Sequence, residues 1–168
     1  YLTPPVWQLM RLSFSSREID NFTYHLTDLN IQYLIAFVAS ITKRPVAEIR
    51  GYVEEILHDQ ALQDHIRQYT LSAPERYVAD TEARYGRRIG WYAFTRALKP
   101  KVVVETGTNK GLGTCIIAAA LLHNSKEGNP GYLYSTDHDP AAGYLFQTPY
   151  NNYGKILYGD SIDSLNKL

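Results

Sequence analysis

Charge of either sign is not in excess. Seventeen Lys and Arg balance seventeen Asp and Glu over 168 residues. Nothing in that balance points to nucleic acid as a partner or to an anionic membrane surface. Cysteine is nearly absent. The single thiol, Cys115, excludes an internal disulfide and fits a reducing compartment, so a cytoplasmic protein is expected. No apolar run is long enough to span a bilayer, and no signal peptide is visible. The residues begin at Tyr1 rather than Met, which leaves targeting open. Internal repeats and low-complexity tracts are missing as well. What remains is an ordinary globular composition, 45% hydrophobic and 20% charged, with length for one core and a small second layer. Tyrosine stands out at fourteen copies. Such rings suit pocket walls and interfaces, although partly buried packing accounts for most of them.

The first 74 residues read as a helical section. Residues 1 to about 16 carry Pro4, Pro5 and the apolar patch Val6, Trp7, Leu9, Met10 and Leu12. They suggest a docking arm or a short helix, with Ser16 as a cap for the next segment and Glu18 in its first turn. Apolar residues then crowd from Ile31 to Ile41, which predicts a well-buried helix ending near Lys43-Arg44-Pro45. Val46, Ile49, Val53, Ile56 and Leu57 recur at helical steps, as do Leu62, Ile66 and Tyr69 before the break at Pro74. Glu75 to Gly90 reads as a charged helix. Trp91 to Leu98 reads as an apolar one, stopped by Lys99-Pro100.

After Pro100 the pattern changes. Val102-Val103-Val104-Glu105 is a β-branched run ending in an acid. Thr106-Gly107-Thr108-Asn109-Lys110-Gly111-Leu112-Gly113-Thr114 is a loop with three glycines, and Cys115 to Leu122 is continuously apolar. Strand, tight glycine loop and helix in that order open a nucleotide-binding α/β sheet. Glycine permits sharp backbone turns and close approach of a ligand to the main chain, where a helix start also presents unpaired N–H groups. Tyr132 to Thr136 predicts a second strand, Pro140 a second helix, Thr148 to Asn152 a turn, and Lys155 to Tyr158 a third strand.

The spacing Glu105-x-Gly107-x-x-x-Gly111-x-Gly113 resembles the first motif of class I S-adenosylmethionine-dependent methyltransferases. Gly131 to Pro140, with Asp137 shortly before the proline, resembles that family's second strand. Ile156-Leu157-Tyr158-Gly159-Asp160-Ser161 resembles its third strand and the turn after it. The resemblance implies a Rossmann-like sheet over residues 75–168, preceded by an α-helical section over 1–74 that serves as a lid or an oligomer interface. It further implies S-adenosylmethionine as cofactor. Glu105 would lie near the amino acid end of that cofactor, where the ammonium and sulfonium charges make a carboxylate sensible. Gly107, Thr108, Gly111 and Gly113 would floor it, and Asn109 and Lys110 would either contact its carboxylate or face water. Asp137 would accept both ribose hydroxyls with its two oxygens. His138 would flank the adenine, and Asp160 and Ser161 would meet its amino group and ring. The resemblance leans toward the family's small-molecule O-methyltransferases, so the expected partner is a small methyl acceptor.

Each position also has a plainer reading. Glu105 can be a strand-end carboxylate, Asp137 a helix cap, His138 a solvated residue and Asp160 a turn acid; Asp139 is the better cap for a helix starting at Pro140. Cys115 is a small core residue. His58 and His65, seven apart, lack the convergent partners of a metal site. Tyr144, Phe146, Tyr150 and Tyr153 either wall the adenine pocket or fill the core. Groups that would activate an acceptor commonly come after the third strand in this family, so no catalytic residue is named. Strand four of the family's seven-stranded sheet would pair with strand one, so further chain beyond Leu168, or a partner covering that edge, is expected. Two other functions fit less well. The glycine spacing also suits an NAD(P)-dependent short-chain dehydrogenase, but Glu105 would then sit beside the pyrophosphate and no Tyr-x-x-x-Lys is present. A non-catalytic assembly module is the third reading.

Overall fold

A computed structural model describes residue 6, residues 24–74, residue 76 and residues 82–166. Apart from Val6, the arm or short helix read over residues 1–16, with its Ser16 cap, lies outside the described residues. Three helices build the first section: α1 (Asp28–Thr42), α2 (Val46–Leu57) and α3 (Gln60–Ser72). Their ends are locally encoded. The Thr27 hydroxyl accepts the Asn30 N–H at 3.3 Å, and Lys43 adopts a left-handed φ of 58° ahead of Pro45. Asp59 caps α3 by accepting the Leu62 N–H at 2.9 Å.

The expectation of a well-buried α1 needs correction. The helix buries Ile35, Val38 and Ala39, but Leu29, Tyr33, Phe37 and Ile41, each four residues on, stand exposed, Tyr33 at 65% and Phe37 at 57%. Residues four apart share a face, so crowded apolar residues made two apolar faces of which one is covered. The charged helix read over Glu75–Gly90 is also corrected in its described part, residues 75 and 77–81 lying outside the described residues. Residues 82–87 are irregular, with Gly86 at φ 52°, and α4 (Arg88–Leu98) starts only after that left-handed residue.

β1 (Val102–Thr106), α5 (Leu112–Lys126), β2 (Tyr132–Asp137), a 3-10 turn over Tyr150–Tyr153, β3 (Gly154–Tyr158) and α6 (Ser161–Leu165) complete the fold. The three strands are parallel in the order β1-β2-β3, with Glu105 opposite Ser135 and Thr136 opposite Leu157. Alternation sends Val103 and Leu133 toward Ile117 and Leu121 of α5. Val102 and Val104 point to the other face and are exposed. On that face the Tyr132 and Tyr134 rings lie 5.2 Å apart, and the Lys155 ammonium sits 5.2 Å from the Tyr134 ring. This is a helical section leading into the opening three strands of a Rossmann-like sheet.

One apolar core joins the two parts. Ile35 of α1, Ile56 of α2, Ile66 of α3, Tyr92 of α4 and Ile116 of α5 belong to a single buried cluster. A polar knot lies inside the same junction. The Arg96 side chain, 3% exposed, donates from Nε to Glu55 of α2 at 2.7 Å, from Nη1 to Asn124 of α5, and from Nη2 to Glu127. The Tyr92 hydroxyl also donates to Glu55, and the guanidinium lies 4.7 Å from the Tyr52 ring. Every nitrogen of the planar fork donates, which an ammonium could not match.

No helix forms after Pro140. Two amides of residues 138–149 are spent across the loop: Gly143 N–H donates to Asn109 O at 2.6 Å and Leu145 N–H to Lys110 O at 3.0 Å, while Ala142, Phe146 and Gln147 bond in local turns. Gly143, at φ 86°, turns the chain so that this loop lies along the glycine loop. Cross-loop and local turn hydrogen bonds take the place of intrahelical ones.

Candidate cofactor site

β1 and β2 end side by side, and the loop between β1 and α5 is stitched to β2. The amides of Gly107 and Thr108 both donate to Thr136 O, at 2.9 and 3.2 Å. Thr108 is buried, its hydroxyl 2.6 Å from that of Ser135. Asn109 takes a left-handed φ of 50°, which Asn tolerates, and aims its N–H at Asp137 Oδ2, 2.7 Å away. Above these residues lies a cavity of about 360 Å³, lined by Gly107, Asn109, Lys110, Asp137, Asp139, Ala141, Ala142 and Tyr144. Gly107, at φ 83°, opens onto free space, so both its backbone angle and its bare face serve this cavity.

The residues singled out from the sequence fall into three groups. Gly107, Asn109 and Asp137 line the cavity. Glu105, Thr108, Gly111 and Gly113 lie beneath or beside it as support. His138, directly after β2, and Asp160 and Ser161, after β3, lie outside the lining. His138 is exposed, its Nε2 3.9 Å from Asp160, while Asp160 caps α6 by accepting the Ile162 and Asp163 amides. The Ser161 hydroxyl lies 2.8 Å from that of Thr136.

Glu105 is held inward. Its Oε2 accepts from Thr114 Oγ1 at 2.5 Å and from Ser135 Oγ at 2.7 Å. Burial pushes its carboxyl above the usual range, and those two hydroxyls and nearby Arg88 pull the other way without cancelling it. Asp137 behaves oppositely. Its burial would raise the carboxyl, but amides of Asp139, Asn109 and Thr108 more than offset this and hold it below its ordinary value. It is therefore an anion at neutral pH. Each of its oxygens takes one of the two closest of those amides, leaving acceptor capacity on both. Asp139, expected to cap a helix, instead accepts the Ala141 amide at 2.8 Å within a turn.

Ala141 and Ala142 were not legible as wall residues. The only signal was their place directly after β2. Gly111 shows how tight that wall is: at φ 91° it starts α5, and an added Cβ would lie 3.2 Å from Gly143 Cα and 3.4 Å from Phe146 N. Both neighbours are backbone and cannot swing away. Gly111→Ala is expected to cost about 2 kcal/mol through strain at positive φ and crowding. A urea melt measures this, and an unchanged midpoint contradicts it. Among the described residues there is no group of three or more His, Cys, Asp or Glu that could hold a metal ion, and no helix is long and apolar enough to cross a membrane.

Residues 104–168 match a family described as a methyltransferase domain. No curated protein and no solved structure matches the chain. The match starts in β1 and runs through the glycine loop, β2 and the 139–144 segment, which line the cavity, and on through β3. The glycine loop, the parallel strand order and the acidic strand tips all lie in this segment, so residues 104–168 are similar to a methyltransferase domain.

Proposed function

We propose that the cavity at the tips of β1 and β2 takes S-adenosylmethionine and that the protein methylates a small molecule, at oxygen. The observation that carries this reading is the placing of Asp137. An ionised carboxylate, with a lone pair left on each oxygen, faces a cavity floored by backbone, which suits two vicinal ribose hydroxyls. A volume of about 360 Å³ is also within the range of small-ligand sites. Bound there, a sulfonium cofactor supplies the methyl group. The chain's own part is to grip the sugar with Asp137, to lay the glycine loop against the ligand, and to exclude water with Tyr144 and the 141–142 wall. Glu105, beneath the loop, holds its end of β1 through Thr114 and Ser135. The balanced charge argues against a nucleic-acid acceptor. A dehydrogenase is the weaker reading, because the matched family is one of methyltransferases. The buried thiol of Cys115 suits a reducing cytoplasm.

The helical section has a second task in this reading, that of joining copies of the protein. Asp28 is the sole charged residue of α1, and Leu29, Tyr33, Phe37 and Ile41 line its outer face. Phe37 already packs edge-on against Phe94, with centroids 6.0 Å apart. An uncharged apolar row can meet its own copy across a two-fold axis without like-charge repulsion. Light scattering is expected to give twice the chain mass for the native protein and the single mass for Tyr33→Glu with Phe37→Glu. A native monomer contradicts the interface.

A further inference from the structure

The loop that walls the cavity is tied to the helical section by one buried histidine. His65 of α3 is 8% exposed, and its Nε2 lies 2.8 Å from the Leu145 carbonyl. A carbonyl only accepts, so Nε2 carries the proton. The ring is fixed from both sides, by Tyr69 with centroids 4.6 Å apart and by Tyr150 at 4.7 Å. Burial lowers its tendency to take a second proton, with the Leu145 bond acting in the opposite sense. The same carbonyl accepts a second donor, Cys115 Sγ of α5, at 3.1 Å. The Leu145 amide bonds to Lys110 O, and two residues earlier the Gly143 amide bonds to Asn109 O. Ala141, Ala142 and Tyr144, which face the cavity, lie on this pinned segment. A section remote in sequence thus holds the turn segment that carries three residues of the cavity lining.

We propose that His65 is a positioning residue for the methyl donor. It acts through the Leu145 carbonyl to hold the 141–146 wall against Asn109 and Lys110, and Cys115 is its auxiliary donor. The proposal rests on the reading of this cavity as the S-adenosylmethionine site. It goes further by giving the helical section a part in cofactor affinity, which neither the glycine loop nor the strand tips require. It also gives the missing helix after β2 a purpose. A helix there would have used its own amides internally, whereas this loop gives the Gly143 and Leu145 amides to the glycine loop and the Leu145 carbonyl to α3.

The test uses the intact protein, titrated with S-adenosylmethionine and S-adenosylhomocysteine by calorimetry. Variants are His65→Phe, which keeps a ring between the tyrosines but has no donor, His65→Gln, whose amide nitrogen can stand near the place of Nε2, and Cys115→Ala. Loss of the main donor in His65→Phe is expected to raise Kd for both ligands about tenfold. His65→Gln is expected to restore affinity to within about threefold, and Cys115→Ala to weaken it about twofold, thiols being weak donors. In steady state the KM for the donor rises in His65→Phe while the KM for the acceptor does not. A merely structural histidine would lower the melting temperature and leave Kd and the two KM values in place. Unchanged affinity in His65→Phe, with native protein that binds, overturns the positioning role alone. Absence of binding by the native protein overturns the cofactor reading and this role with it.

Discussion

Arg96→Met is expected to lower the melting temperature by about 10 °C, from a loss of about 3–5 kcal/mol. The side chain is nearly sealed from solvent, and it is the shared partner of Glu55, Asn124 and Glu127. Its removal leaves the fully buried Asn124 amide oxygen without its donor and the Glu55 carboxylate with the Tyr92 hydroxyl and partial solvent in place of the guanidinium. Leaving one half of a buried pair unmatched costs more than the pair contributes. Arg96→Lys recovers only part, because a single ammonium cannot reach three acceptors on two helices. Arg96 lies on α4 and its acceptors on α2, on α5 and just after it, so loss of the knot loosens the junction of the helical section with the sheet. Glu127 adds a pH signature. Arg96 and then Lys99 hold its carboxyl down to about 2. A depressed carboxylate stabilises above its ordinary value of 4.5 and loses that contribution as pH falls toward 2. Acid melts of Arg96→Met should therefore lack part of this slope. A shift under about 2 °C at neutral pH contradicts the knot's role.

Asp137→Ala is expected to weaken S-adenosylmethionine binding at least about a hundredfold, from the loss of two charge-assisted hydrogen bonds. The side chain also holds the Asn109 and Asp139 amides, so some loss of stability accompanies the change. Asp137→Asn separates the two effects. Its one carbonyl oxygen can keep one amide, but its NH₂ offers a donor where a ribose hydroxyl needs an acceptor. It should melt nearer to the native protein than Asp137→Ala does while binding almost as poorly. Because the native carboxyl lies below its ordinary value of 3.8, this group should give no pH dependence of binding between pH 5 and 8. Retained affinity in both variants would mean that Asp137 serves only the turn.

Local rules made much of this visible in advance. Val102 to Val104 is β-branched, Gly111 needs positive φ, and an apolar run comes next; strand, loop and helix appear where those signals lie. Lys43 ahead of Pro45 and Lys99 ahead of Pro100 mark helix ends through chemistry a few residues wide. What was not legible depends on distant partners. Pro140 starts helices in many chains, but here Asn109 and Lys110 compete for the amides beyond it. Nothing near Arg96 in sequence announces Glu55, forty-one residues earlier. His65 reads as one of a loose pair of histidines until the fold brings Leu145 to it, eighty residues on. Leu29, Tyr33, Phe37 and Ile41 look like core because hydrophobicity records that a face wants cover and does not say which surface provides it.

The central claim is that a sulfonium nucleoside occupies the strand tips with its sugar on Asp137. Calorimetry of the intact protein with S-adenosylmethionine and, separately, with NAD(H) tests it most directly. The account predicts saturable one-to-one heat with the methyl donor, lost in Asp137→Ala, and none with the dinucleotide. Saturable heat with NAD(H), or silence with S-adenosylmethionine, would contradict it.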